Sequence, residues 1–397
     1  MSTGSRHAQS ATRADDRRFM RDAIAVAARI AARPWPNPPV GAVIVRDGEV
    51  VGAGAHQGAG RPHAEPIALA AAGPRARGAT LYVTLEPCRH HGRTPPCTDA
   101  ILAAGVGRVV AGISDLNPTA GGGAEILRNA GVEVTLGVRA AECLDLIWPF
   151  LASDRFARPY VELKTAAGLD GFLSWPRPPA GAPDYLTGLP ARRDVHCRRR
   201  WVDLVLVGSG TARCDRPRLD TRLVPAAAAC PQAEPAAGCV MTRPPADTAA
   251  GLARERWFCF HGADAAGLAL PAGVEAVPCA IGPAGVDPAE LLAACSERGF
   301  HTIMLEGGPR LAASFLAAGL VDRWVQYIAP VVTGGGAAWS AVVPTAGSKA
   351  GEPGPRFHLT RHDRIGADLR VIWDRRDFAA ALLAAGGAES EDECSPV

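Results

Sequence analysis

His63-Ala64-Glu65 and the loop Leu85-Glu86-Pro87-Cys88-Arg89-His90-His91-Gly92-Arg93-Thr94-Pro95-Pro96-Cys97 decide how this chain is read. One imidazole and two thiolates suit Zn²⁺, and three protein ligands leave a fourth tetrahedral position open for water, whose pKa the metal brings towards neutrality. A closed structural site would need a fourth side chain and would leave Glu65 without a task. Pro66 pushes Glu65 away from mid-helix geometry, so the helix carrying this pair must begin here, in a first turn where the missing N–H costs nothing. Thr80 to Leu85 reads as a strand feeding the Cys loop, and 95–104 as a helix leaving it. Working outward, residues 15–33 carry Phe19, Ala23, Ile24, Ala27 and Ile30 at helical spacing and stop before Pro34. Val40 to Val45 and Val50 to Gly54 form a hairpin across Asp47-Gly48. Strands at Val106 to Ile113 and Val132 to Val134 flank a helix at 122–130, and this alternation makes an α/β layer.

The remainder repeats the alternation after a connector over 141–158. A strand is expected at 159–164, a helix at 188–200, strands at 204–207 and 302–305, and helices at 288–298 and 309–318. The Pro/Ala-rich stretch 225–250 reads as loop. At 397 residues the chain is too long for one ordinary core. The expected domains are therefore 15–150 and 151–385, between mobile ends at 1–14 and 386–397. The 42 basic and 40 acidic residues leave a net charge of +2, and aromatics are 6%. That balance offers no case for a nucleic-acid or anionic-membrane partner and favours a small-molecule substrate. The first residues lack the apolar core of a signal peptide and no apolar run approaches a membrane span, so a cytoplasmic protein is expected. Eleven cysteines at irregular spacing, an odd number, read as reduced thiols.

His-x-Glu followed by Pro-Cys is the signature of zinc deaminases, in which the Glu moves a proton and is no ligand. The usual PCxxC is replaced here by the longer LEPCRHHGRTPPC. That string, with Pro36-Asn37-Pro38 and Val40-Gly41, resembles the bifunctional pyrimidine deaminase/reductase family of riboflavin biosynthesis. The resemblance runs over most of the chain. It implies an N-terminal cytidine-deaminase-like three-layer α/β/α domain and a C-terminal dihydrofolate-reductase-like α/β domain, in a homo-oligomer. In the first domain it implies zinc on His63, Cys88 and Cys97, a proton-shuttling Glu65 and a substrate-side Asn37. His90 and His91 read either as ligands or phosphate contacts, or as hydrogen-bonded loop elements.

In the second domain Lys164, Leu169-Asp170-Gly171, Arg193-Asp194-Val195-His196, Val207-Gly208, Gly210-Thr211, Asp215 and Leu305-Glu306-Gly307-Gly308-Pro309 follow the family's reductase order. Glu306-Gly307-Gly308-Pro309, between an apolar strand and a helix, is where backbone N–H groups can hold a phosphate. The resemblance implies NADPH at Ala166, Thr211, Asp215 and Gly308, and substrate at Arg199, Leu219, Arg222 and Glu306. Lys164 is the expected catalytic residue, forming an iminium with the sugar's C1′ or polarising it for hydride transfer. The implied function is zinc-dependent deamination of a phosphoribosylated diaminopyrimidinone and NADPH-dependent reduction of its ribose to ribityl. Pro39, Gly168, Tyr185, Arg216 and the non-acidic end of Cys239-Val240-Met241 depart from the pattern. They keep a deaminase with a degenerate second domain in view, and a nucleic-acid editing deaminase or a zinc-stapled binding protein stand further off.

Overall fold

Thr12 starts the first helix, α1 (Arg13–Ala28). Its side chain accepts from the Asp15 N–H while the Asp15 carboxylate takes the Thr12 N–H, a reciprocal cap. The computed structural model describes residues 12–29, 37–117, 119–176, 185–224, 234–241, 257–262, 270, 272–282, 285–337 and 356–375. Among them the chain divides into two units, one through Phe150 and one from Leu151. The ends expected to be mobile lie outside the described residues, except that Thr12 caps α1 and Arg13 and Ala14 already belong to it. That helix stops at Ala28, and the rest of its expected length, 30–33, also lies outside them.

In the first unit β1 (Gly41–Arg46) and β2 (Glu49–Ala55) turn on Asp47 and Gly48, both at positive φ (52° and 78°), as a two-residue hairpin needs. Then come α2 (Ala64–Ala72), β3 (Thr80–Leu85), α3 (Cys97–Ala104), β4 (Arg108–Ile113), α4 (Gly123–Asn129), β5 (Glu133–Leu136) and α5 (Ala140–Phe156). The sheet order is β2-β1-β3-β4-β5, with β1 antiparallel to both neighbours and β3, β4 and β5 parallel. Strand alternation gives each face its own core. Ala42, Ile44, Leu81 and Val83 pack with Ala68, Ile101 and Leu127. On the opposite face the Phe19 and Tyr82 rings lie 5.3 Å apart. Helices can sit this close because glycine faces them: a Cβ on Gly41 would stand 2.2 Å from the Ala23 carbonyl, and one on Gly54 2.4 Å from that of Ala64. The buried Asp16 of α1 accepts from Arg108 (2.7 and 2.9 Å) and from the Tyr82 hydroxyl (2.8 Å), tying that helix to β3 and β4. This is the three-layer α/β/α arrangement.

The second unit contains β6 (Tyr160–Ala167), α6 (Leu189–Arg199), β7 (Leu204–Gly208), α7 (Ser209–Asp215), β8 (Ala236–Met241), β9 (Trp257–Gly262) and β10 (Val274–Cys279). A small ribbon, β11 (Ile281–Gly282) and β12 (Gly285–Val286), precedes α8 (Pro288–Glu297), β13 (Thr302–Leu305), α9 (Pro309–Ala317), β14 (Arg323–Ile328), β15 (Phe357–Ile365) and β16 (Asp368–Arg375). The nine-stranded order is β10-β9-β8-β7-β13-β6-β14-β16-β15, parallel up to β14 and antiparallel for the last two strands. β8 corrects the expectation of a loop throughout 225–250. Its Ala-Ala-Gly-Cys run is short in β-branched residues, yet it is buried between β7 and β9, where backbone pairing outweighs propensity. Because the chain leaves β6 towards β7 on one side and returns to β14 on the other, β6, β7 and β13 bring their C-terminal ends together, the usual place for a site in such a sheet.

Candidate active sites

His63 is the N-cap of α2, in extended backbone at φ −70° and ψ 169°, so its ring leaves the helix end while Glu65 lies in the first turn. Pro66 follows inside that turn. Cys88 comes off the end of β3 and Cys97 is the first residue of α3. His63 Nδ1 lies 3.2 Å from Cys97 Sγ and 3.5 Å from Cys88 Sγ, and the three ligand atoms fall within 4.8 Å of one another. Tetrahedral zinc with ordinary Zn–N and Zn–S bonds puts such atoms about 3.6 to 3.8 Å apart, so the residues fit the metal. This is the one such ligand group among the described residues, and neither His90 nor His91 belongs to it. The Cys97 thiol, hydrogen-bonded to Cys88, and His63 together bring the Cys88 thiol down to about 4 against its burial, while Cys97 itself is pushed up. The Cys97 N–H also points at Cys88 Sγ (3.5 Å). Glu65 is 3% exposed, and burial raises its carboxyl to about 7, where it can both take and give a proton.

His63, Glu65 and Cys88 line a cavity of about 440 Å³ with Asn37, His56, Asp115 and Phe150. Asn37 Nδ2 lies 2.9 Å from His56 Nε2, and His56 Nδ1 lies 3.0 Å from the Pro62 carbonyl. With Nδ1–H donating to that carbonyl, Nε2 accepts from the amide, and Asn37 is left with its oxygen for a ligand. Burial keeps His56 in this neutral form. His56 escaped the sequence reading, although its place at the end of β2 was a signal. Glu86 escaped it too. Its carboxylate accepts from the N–H groups of Asp115 (3.0 Å), Gly122 (3.1 Å) and Ala124 (2.8 Å), bracing the loop after β4 against the Cys88 turn.

In the second unit Glu306 follows β13 directly. Arg199, at the end of α6, grips both its oxygens (2.5 and 2.9 Å) and uses its remaining nitrogen on the Asp220 carbonyl (2.9 Å). Lys164 Nζ of β6 stands 3.8 Å from Glu306 Oε2. Burial lowers the Lys164 pKa, with Arg199 adding to the effect and Glu306 opposing it. Burial would raise Glu306, but Arg199 and Lys164 hold it down at about 2. Arg222 pairs with Asp220, whereas the Leu219 side chain is 2% exposed and packs into the core with Val205 and Met304, so it offers no side-chain surface to a ligand. Ala166 is half-buried in β6, and Asp215 ends α7, where Arg216 takes a left-handed φ of 43°. Gly308 caps α9 with extended backbone, and a Cβ there would lie 3.5 Å from Thr211 Oγ1. A Cβ on Gly307 would meet Leu311 Cδ2 at 2.7 Å. Among the described residues the Gly307 and Gly308 N–H groups donate to no protein carbonyl, and they suit a dinucleotide's phosphates. Gly168 has a local reason to lack a side chain, since a Cβ would stand 2.7 Å from Asp170 Oδ1 and 2.9 Å from the Val331 carbonyl.

A family model described as the cytidine and deoxycytidylate deaminase zinc-binding region matches residues 13–113, and one described as the RibD C-terminal domain matches 159–371. The chain is 37% identical to the riboflavin biosynthesis protein RibD of Aquifex aeolicus over 91% of its length and 98% of the relative's. With the Escherichia coli RibD it shares 38% identity over 89% of this chain and 98% of that one. This chain belongs to the RibD family. Among solved structures, Acinetobacter baumannii RibD superposes with a TM-score of 0.70 at 32% identity, covering 92% of this chain and 100% of that one. The Thermotoga maritima diaminohydroxyphosphoribosylaminopyrimidine deaminase/5-amino-6-(5-phosphoribosylamino)uracil reductase gives 0.73 at 31%, covering 92% and 99%. This RibD-family chain is therefore a bifunctional enzyme of riboflavin biosynthesis, a deaminase and a reductase that takes a small pyrimidine and uses zinc and NADPH. No described helix is long and apolar enough to cross a membrane.

Proposed function

We propose that the first unit deaminates the phosphoribosylated diaminopyrimidinone for which the Thermotoga maritima relative is named, and that the second reduces the ribosyl group of the product. The convergence of His63 and Cys88 with Glu65 on one cavity, with buried Cys97 in ligand reach of the first two, carries this reading. Zinc on the three ligands supplies Lewis acidity that acidifies water at the open position. Glu65 takes a proton from the attacking water and returns it to the departing amine, so water adds and ammonia leaves. Asn37, oriented by His56, turns its carbonyl oxygen to an N–H of the base. In the second unit Ala166, Thr211, Asp215 and the Gly308 turn would hold NADPH, which would supply hydride when bound. The Lys164 ammonium, made more acidic by burial, donates to the sugar oxygen as C1′ is reduced. Glu306, held by Arg199, keeps that ammonium in place, and Arg222 lies on the substrate side. The domain boundary belongs at Phe150/Leu151, and the nine described cysteines, all free, agree with a reducing, cytoplasmic setting.

Purified protein given the phosphoribosylated pyrimidine should release ammonia without NADPH and should oxidise NADPH when both are present. Ammonia release with no NADPH oxidation at saturating cofactor would leave a deaminase with an idle second unit. Sedimentation reads the expected homo-oligomer.

A further inference from the structure

The loop that runs from α7 through Leu219 to Val224 is held in strained backbone. Of the five non-glycine residues at positive φ among the described residues, two are here, Arg216 at 43° and Leu219 at 50°. Such conformations persist where the surroundings over-determine them, and they concentrate at functional sites. Three contacts pin this loop. The Leu219 side chain is buried with Val205 and Met304, Arg199 donates to the Asp220 carbonyl (2.9 Å), and the Leu223 N–H points at His196 Nδ1 (3.5 Å). Pinned in this way, the loop buries the Asp220 carboxylate, which is 6% exposed, among the charges that surround His196. Its two oxygens take one arginine each, Arg222 through Nη1 and Arg218 through Nε (3.0 Å). Burial would raise this carboxyl, but Arg222 and Arg218 hold it below its usual value, so it stays charged. Both arginines remain accessible, with side chains 73% exposed at Arg218 and 40% at Arg222.

Four cations, Lys164, Arg199, Arg218 and Arg222, meet two carboxylates, Glu306 and Asp220, in these ion pairs, which leaves two positive charges unmatched. A phosphate monoester brings about two negative charges at neutral pH. A buried carboxylate is costly to desolvate and offsets charge that such a dianion would otherwise meet. What it contributes is aim, since a guanidinium tethered by one nitrogen presents its remaining N–H groups from a fixed place. We infer that Asp220 is a positioning residue of the reductase site, holding Arg218 and Arg222 in place for the phosphate of the ribosyl substrate without touching that substrate itself. This rests on the reading of the second unit as the ribosyl reductase and adds the group that sets its arginines. The phosphate is remote from C1′, so loss of the tether raises KM more than it lowers kcat.

The test measures NADPH oxidation by the full chain on the deaminated substrate and on the same compound after phosphatase treatment. Asp220→Asn is the informative variant, because the Arg199 contact uses the main-chain carbonyl and survives any side chain at 220. The wild type should prefer the phosphorylated compound, and Asp220→Asn should raise KM for it about 10-fold while kcat and the rate on the dephosphorylated compound stay near wild type. Asp220→Asn added to Arg218→Ala with Arg222→Ala should change little more, because nothing is left to aim. Equal losses on both compounds, a lower KM, or a further 10-fold loss in the arginine-free background each overturn the inference. Calorimetric titration with ribose 5-phosphate reads the tether without turnover: Asp220→Asn should weaken or lose one site that the wild type has, and an isotherm identical to the wild type's overturns the inference. If the wild type oxidises NADPH with neither compound, the reductase reading fails, and the titration still decides whether Asp220 sets the arginines for a phosphate.

Discussion

Glu65 and Cys88 separate metal binding from proton transfer, because one is a ligand and the other stands beside the ligands. Glu65→Gln keeps the shape and removes the proton acceptor, so zinc should stay while deamination falls by about 10²- to 10⁴-fold. Metal analysis alongside ammonia release checks it; loss of zinc would make Glu65 a structural group. Cys88→Ser removes one of three ligands and should cost both zinc and turnover. In the other unit Lys164→Ala should stop NADPH oxidation with the deaminated substrate and leave ammonia release intact. Normal reduction by that variant would remove Lys164 from the chemistry. The residue types and spacing of His63, Glu65, Cys88 and Cys97 were legible in the sequence because ligand chemistry belongs to the side chains themselves. His56 was not, since its use depends on the Asn37 amide lying 2.9 Å away across the hairpin.

At the scale of elements, the helix starts matter most. His63 caps α2 and Cys97 opens α3, so two ligands sit at helix ends where side chains are free to turn inward. Pro66 announced the first start, and the second, expected at 95, comes two residues later at Cys97. The brace from Glu86 was illegible, because its three partners lie 29 to 38 residues further along the chain. Glu86→Ala leaves those N–H groups unsatisfied in a mostly buried setting. It should destabilise the first unit by about 2 to 4 kcal/mol and speed zinc release to a chelator. Urea unfolding and chelator kinetics measure both, and wild-type values would show that water replaces the carboxylate at no cost. β8 was misjudged for a related reason: an Ala/Gly-rich strand carries a weak local signal, and its neighbours β7 and β9 hold it in the sheet.

For the whole molecule, buried charge in the second unit sets how stability depends on acid. His196 is held down to about 4, from an ordinary 6.5, by burial and by Arg199 and Arg222. Between those values the unfolded chain takes up a proton that the folded chain refuses, so stability must fall as pH drops from 6.5 to 4. Glu306, held down to about 2 from 4.5, acts in a lower window: its stabilisation is present above 4.5 and is lost as pH falls towards 2. The urea midpoint of the wild type should decline across the upper window, and His196→Gln should flatten that part of the curve; parallel curves would assign the decline to other groups. Composition and periodicity were enough to establish two α/β layers, a near-neutral enzyme for a small molecule, and a zinc site in the first layer. Those properties depend on residue type, on the alternation of apolar positions and on spacings of a few residues, all local in the chain. Tertiary structure decided the rest. Arg199 lies 107 positions from Glu306 and was expected on the substrate side, yet its guanidinium is spent on that carboxylate and on the Asp220 carbonyl. Leu219 is apolar and suited to a core, but that it is buried here is decided by the strands that gather Val205, Cys239, Cys259 and Met304 around it. A side chain's type states what it can bind, but which group it binds is set by what the fold brings within about 3 Å of it.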